Sequence, residues 1–324
     1  MLTSLATNAY VAPQAETLAE FLTSTWLPAI EHTIKPATFE SYRRNMRLHA
    51  AGRPIGRRKL QEVDPADLNA LYAQLLQGDD AHRALSGRSV AYVASILHRA
   101  FKDAVRWQLL VRNPADSSDP PRPSTPPQMR TWTAQELRTF LDGVSADRLA
   151  GAWWLLATTG MRRGEVLGLR WEDVDFDAGV LRISRTLITT DVQRKGMPGM
   201  AWGTPKTGKG RRQVALDAPT VAALRLHRSR QLHERLSFAG AYEDTDLVIS
   251  REDGHPLHPK ALSYRFERWV TQLKLPRIRL HDLRHTHATL ALRAGVHPRV
   301  VQERLGHANV SITLDTYSHV DIQM

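Results

Sequence analysis

The run 305-LGHANVSITLDTYSH-319 decides how this chain is read. Gly306 predicts a left-handed cap that closes a helix over 298–305 and turns the chain so that His307 projects from a fixed corner. Asn309 or Ser311 then opens a short helix carrying Tyr317. A tyrosine hydroxyl titrates near pH 10, so ionising it at pH 7 costs about 4 kcal/mol unless a base or a positive field assists. Upstream stand Arg162 in 158-TTGMRRGEV-166 and His281 with Arg284 in 281-HDLRHTHAT-289. Two arginines, two histidines and a tyrosine suit one electrophile, a phosphodiester. Its attack accumulates negative charge on non-bridging oxygens, which planar guanidinium forks hold two at a time.

Taken in order, these runs resemble the tyrosine recombinase family of phage-type integrases: T-G-x-R with Glu three residues on, then Lys, then H-x-x-R, then L-G-H, then Tyr. The resemblance covers residues 130 to 320 at motif level and, more loosely, the helical segment before them. It implies that Tyr317 is the nucleophile, that Arg162 and Arg284 are the paired phosphate-binding arginines, that His307 hydrogen-bonds the phosphate, and that His281 assists proton transfer at the tyrosine. Lys206, in 202-WGTPKTGKGRRQV-214, matches the general acid on a hairpin tip, with Lys209 on the same loop as its competitor. Glu165 matches the acidic member that orients an arginine or histidine, against the plainer reading of a helix-surface carboxylate. Arg163 is the decoy beside Arg162. His285, His287, His297 and His319 are read as packing or capping residues.

The implied reaction is cutting and rejoining of duplex DNA through a 3′-phosphotyrosyl intermediate. That intermediate retains the bond energy, so neither cofactor nor metal is expected. The implied partners are double-stranded DNA attachment sites, further copies of the chain forming a tetramer on synapsed DNA, and accessory directionality or DNA-bending proteins, with no membrane. Three other readings stay open. A type IB topoisomerase uses the same chemistry without pairing sites, and a protein of the same fold can bind DNA without cutting it. The H-x-x-x-H spacing of His281 and His285 also matches a helical zinc site, with Asp282 where a zinc protease carries Glu, but that reading leaves Arg162, Arg284 and Tyr317 unexplained and sets an arginine against the cation.

Composition narrows the partners. The 324 residues suffice for two domains with real cores. A formal charge of +11 and a pI near 10.2 point to a polyanion. Residues 128–324 hold 29 Lys+Arg against 21 Asp+Glu, and residues 1–127 hold 15 against 12, so the excess sits with the motifs. No cysteine is present, which removes disulfides, thiolate nucleophiles and thiolate metal sites. The apolar stretch Ala152 to Ala157 is far too short to span a bilayer. The opening MLTSLATNAY lacks a basic region followed by an apolar core, and the expected location is cytoplasmic, at the nucleoid.

Periodicity supplies the organisation. Leu18, Phe21, Leu22 and Trp26, then Leu68, Leu71, Tyr72 and Leu75, then Val93, Ile96, Leu97, Ala100, Phe101 and Ala104 recur at helical spacing. With residues 38–50 they predict a four-helix bundle over 15–112, the core-binding (SAM-like) domain of the resemblance, after a short extension over 1–14. Asp64-Pro65 reads as an N-cap and a first-turn proline. Six prolines between 113 and 128 predict an extended linker over 113–127. The catalytic domain is expected over 128–324: a Thr133/Glu136 capping box, a helix through Trp153 to near Gly160, and a small antiparallel sheet holding Val180, Ile183, Leu187, Val214 and Leu216. The class is mostly α with a minor sheet, and the two domains are expected to clamp duplex DNA. Residues 1–14 are too short for an arm-binding domain. The tail beyond Tyr317 offers only Val320, Ile322 and Met324 as apolar anchors, which predicts a monomer that assembles on DNA.

Overall fold

The computed structural model describes residues 11–79, 83–122, 129–190, 199–204 and 210–306. The chain divides into two compact units, Met1–Pro127 and Gln128–Met324.

The first unit is built from helices. α1 runs through Leu18–Glu20, a π-helical middle Phe21–Trp26, and Leu27–Ile30, opened by a reciprocal capping box between Thr17 and Glu20. α2 (Pro36–Met46) continues into a π-helical turn, Arg47–Ala51; α3 is Pro65–Gln77 and α4 is Gly87–Arg106. Every apolar position at helical spacing in α1, α3 and α4 is buried. Asp64 caps α3 by accepting the Asp67 N–H, with Pro65 in the first turn, as the sequence predicts. Trp26 is fully buried because its indole N–H finds Asp103 Oδ2 at 2.9 Å and its ring stacks on Tyr42 at 6.0 Å.

The stretch 113–127 departs from the extended linker expected of it. Pro114–Ser117 forms a 3₁₀ turn whose Ala115 is buried in this unit's core. Asn113 Oδ1 accepts the Ala115 N–H at 2.9 Å, and the Asp119 N–H reaches Asn69 Oδ1 at 2.7 Å. A first-turn proline has its φ preset for a helix and no N–H to lose, so here proline starts a turn. The linker reading is thereby shortened at its N-terminal end.

The second unit opens with α5 (Ala134–Gly143), capped by the Thr133/Glu136 box, followed by α6 (Ala150–Thr159) and α7 (Arg163–Gly168). Strands β1 (Val174–Asp175), β2 (Val180–Ile183), β3 (Thr186–Thr189), β4 (Met200–Gly203) and β5 (Arg212–Ala215) follow. Then come α8 (Ala218–Phe238), α9 (Pro259–Gln272), α10 (Asp282–Arg293) and α11 (Pro298–Leu305). Trp132, Phe140, Trp153 and Phe266 interlock at the centre, ring centroids 5.2–6.2 Å apart. Each such fully buried ring contributes about 1.5–3 kcal/mol of hydrophobic stabilisation.

The single small sheet of the sequence reading is, among the described residues, two antiparallel sheets. One is ordered β1-β2-β5 and the other pairs β3 with β4. Leu187 therefore leaves the sheet of Val180 and Val214. β3 instead lies against α7 at Gly164, where a Cβ would sit 2.7 Å from the Leu187 carbonyl oxygen. Among the described residues no helix is long and apolar enough to cross a membrane.

Candidate active site

Three chain segments meet where α6, α10 and α11 end or begin. α6 stops at Gly160, which is left-handed (φ 64°, ψ 21°) and so close to its neighbours that a Cβ would stand 2.5 Å from Leu305 Cδ2 and 2.9 Å from His287 Cδ2. Both requirements select glycine. The chain then extends, and Arg162 (φ −74°, ψ 149°) becomes the N-cap residue of α7.

Glu165, one turn into α7, is not the surface carboxylate of the plainer reading: its side chain is 2% exposed. Oε1 accepts Arg162 Nη1 at 2.9 Å and Arg212 Nη1 at 3.2 Å; Oε2 accepts the Arg162 backbone N–H at 2.9 Å and Arg212 Nη2 at 3.0 Å. Burial alone would raise the Glu165 pKa. The hydrogen bonds and charge of Arg212, then the charge and backbone N–H of Arg162, override it and hold the carboxyl below its usual range. Arg163 turns elsewhere, donating to Ser263 Oγ on α9 at 2.8 Å.

Arg284 lies in the first turn of α10 and is buried. Nη1 donates to the Gly160 carbonyl at 2.6 Å and Nη2 to the Leu305 carbonyl at 2.7 Å. One guanidinium thus fastens the end of α6, two residues before Arg162, to the end of α11, two residues before His307. Gly306 closes α11 in the left-handed conformation (φ 66°, ψ 43°) that the sequence predicts.

His281 is the N-cap residue of α10, exposed as a whole residue while its ring packs perpendicular to that of His285 with centroids 5.1 Å apart. Desolvation and the charges of Arg284 and Arg162 lower its pKa, so the imidazole is neutral at pH 7 and able to accept a proton. His285 is pushed down to about 4 by desolvation and by His281. Asp282 is taken up by Arg279 in a two-pronged pair at 2.7 and 3.0 Å. Among the described residues no three His, Cys, Asp or Glu side chains are grouped to hold a metal ion. His297 caps α11 by accepting the Arg299 N–H.

Arg162, Glu165, His281 and Arg284 are therefore brought together, whereas Lys206, its competitor Lys209, His307, Tyr317 and His319 lie outside the described residues. Sequence reasoning missed Arg212 and Arg304. Arg304 Nη2 donates to the carbonyls of Thr158 and Ala215, and its own carbonyl accepts Arg212 Nε at 2.6 Å. A signal for Arg212 existed: on β5 it shares a face with buried Val214, two residues on, and so points inward.

Residues 130–324 match the model of the phage integrase family. A tyrosine recombinase XerC-like protein of Caldanaerobacter subterraneus subsp. tengcongensis is 28% identical over 313 residues, covering 92% of this chain and 78% of that protein. The ICEBs1 integrase of Bacillus subtilis is 26% identical with the same coverage of both chains. Among solved structures, the Tn1549 transposon integrase in complex with a circular intermediate DNA superposes with a TM-score of 0.74 at 22% identity, covering 93% of this chain and 95% of that one. A lambda integrase dimer bound to a core site gives 0.64 at 17% identity, covering 98% and 80%. These two likenesses establish the fold.

Proposed function

The chain belongs to the phage integrase family of tyrosine recombinases and is a site-specific DNA breaking and rejoining enzyme; we propose that Tyr317 is its nucleophile. The tyrosine oxygen attacks the scissile phosphorus, forming the phosphotyrosyl bond to the 3′ side as the bond to the 5′-oxygen breaks. His281, neutral at pH 7, accepts the phenolic proton, and Lys206 delivers one to the leaving oxygen, with Lys209 the alternative donor. Arg162 and Arg284 hold the non-bridging oxygens, Arg284 through N–H groups beyond the two it gives to the Gly160 and Leu305 carbonyls, His307 adds a hydrogen bond, and Glu165 orients Arg162. The freed 5′-hydroxyl of a partner strand then attacks the phosphotyrosyl bond and releases Tyr317. One phosphodiester is made for each one broken, so the steps balance without a nucleotide.

The observation that carries this reading is the Arg284 guanidinium, which gathers the T-G-M-R, H-D-L-R and L-G-H segments through the carbonyls of Gly160 and Leu305. DNA is the partner. Exchange between two duplexes cuts four strands, one tyrosine to each, so the proposal includes four copies on synapsed attachment sites, with accessory directionality or bending proteins. The first unit is proposed as the core-DNA-binding domain. Its α2 with the π-helical turn that follows, and its α4, expose Arg44, Arg47, Arg88, Tyr92 and Lys102, cations and an aromatic suited to a phosphate backbone.

The test is covalent trapping on a nicked suicide duplex, read on a denaturing gel in EDTA without nucleotide. Wild type is expected to form the adduct, and Tyr317→Phe to form none while still binding DNA. An undiminished adduct from Tyr317→Phe would remove Tyr317 from the role.

A further inference from the structure

Glu165 serves two arginines with one carboxylate, and the two differ in what else they can reach. The Arg162 side chain is 30% exposed, that of Arg212 only 6%. All three guanidinium nitrogens of Arg212 bond within the protein: Nη1 to Glu165 and the Gly210 carbonyl, Nη2 to Glu165, Nε to the Arg304 carbonyl. Arg162, by contrast, gives Glu165 one side-chain bond, through Nη1.

We propose that Arg212 is a positioning residue of the recombination reaction, acting through Glu165 to keep the charge and fork of Arg162 available to the scissile phosphate. The proposal rests on the recombinase mechanism above. Two guanidinium groups around one carboxylate leave a net charge of one cation, and the four bonds to Glu165 fill its acceptor sites. Remove Arg212, and a buried carboxylate retains one cationic neighbour. The fork of Arg162 then closes on Glu165 in a two-pronged pair, the strongest geometry open to it, and a neutral pair stands where a phosphate needs a cation.

Arg212 also sits where misplacement would spread. It opens β5 six residues after Lys206, and the carbonyl it binds belongs to Arg304, three residues before His307. The same guanidinium therefore restrains the described edges of the segments that carry the proposed acid and the proposed phosphate-binding histidine.

The experiment is single-turnover adduct formation on the nicked suicide duplex at saturating DNA, with rates expressed per active molecule. DNA affinity and the unfolding midpoint are measured alongside. Arg212→Met is expected to lower the rate roughly 10- to 100-fold while affinity changes by less than about threefold, because only the placement of reacting groups is disturbed. Arg212→Lys, which keeps the charge and loses the fork, recovers part of the rate and serves where the methionine variant does not fold. The decisive variant is Glu165→Gln/Arg212→Met. Removing the carboxylate as well releases Arg162, so the double variant is expected to cleave faster than Arg212→Met alone. A double variant as slow as the single one overturns the proposal, as does an Arg212→Met rate equal to wild type. A merely structural arginine would lower the unfolding midpoint and the active fraction and leave the rate per active molecule unmoved, which also overturns it. If wild type itself forms no adduct, the recombinase mechanism fails and takes this proposal with it.

Discussion

Arg284 shows how much one side chain can be asked to do: its buried fork satisfies two carbonyls that helix ends would otherwise leave bare. Arg284→Lys offers a single ammonium in place of two diverging N–H groups, so one carbonyl loses its partner. The expected result is a loss of about 1–3 kcal/mol in denaturant unfolding, together with adduct formation at least tenfold slower. Unchanged stability would show that the two carbonyl bonds are dispensable. Histidines supply the pH dependence at this scale. His287 is pushed down to about 3 by burial and by the charges of Arg304 and Arg284, and its buried Nε2 has no hydrogen-bond partner among the described residues. Together with His285, near 4, it stays neutral in the folded protein where the unfolded chain, titrating near 6.5, takes up protons. Above pH 6.5 neither group contributes. As pH falls from 6.5 towards 4, stability drops by up to about 1.4 kcal/mol per pH unit for each histidine. Urea titrations at pH 7.5 and pH 5 read this directly, and His287→Phe, which cannot bind a proton, is expected to shrink the difference while His285 keeps its own share.

Among elements, α6 and α11 each end on a left-handed glycine, and both ends lie at the site. Gly160→Ala adds a Cβ into Leu305 and His287 at a positive φ. It is expected to destabilise the protein by about 1–3 kcal/mol and to displace Arg162, with a steeper fall in adduct formation than in DNA affinity. A normal cleavage rate in the folded variant would show that α6 and α11 tolerate separation. Such local features were legible in the sequence: Asp64-Pro65, the Thr133/Glu136 box and Gly306 act over a few residues, and the α1, α3 and α4 stripes follow from a fixed period. What depended on distant partners was not. Glu165 and Arg212 stand 47 residues apart, and no local pattern pairs them. Leu187 has strand character, yet its assignment to the β3-β4 sheet depends on the bare face of α7 at Gly164. The prolines of 113–127 predict an extended linker, whereas Asn113 caps a 3₁₀ turn that begins on Pro114.

Across the whole molecule the quantities that matter are charge and the joining of two units. The chain carries +11, most of the excess in residues 128–324, and each unit has its own buried core. Each phosphate neutralised by Lys or Arg releases condensed counterions, so log K for duplex DNA is expected to fall linearly with log[salt], with slope about −0.9 per contact. Both units contribute contacts in the proposed mechanism, so the full chain should show a steeper slope than residues 1–127 alone. Affinity should differ even more than the slope. Once one unit is bound, the covalent connection holds the other at an effective concentration in the range of millimolar, which multiplies two modest affinities without any new contact. Fluorescence anisotropy at several salt concentrations, on the full chain and on residues 1–127, is expected to give at least a hundredfold gap in affinity at moderate salt. Equal affinities and equal slopes would mean that one unit carries all the binding, and the recombinase would then hold its DNA through a single domain.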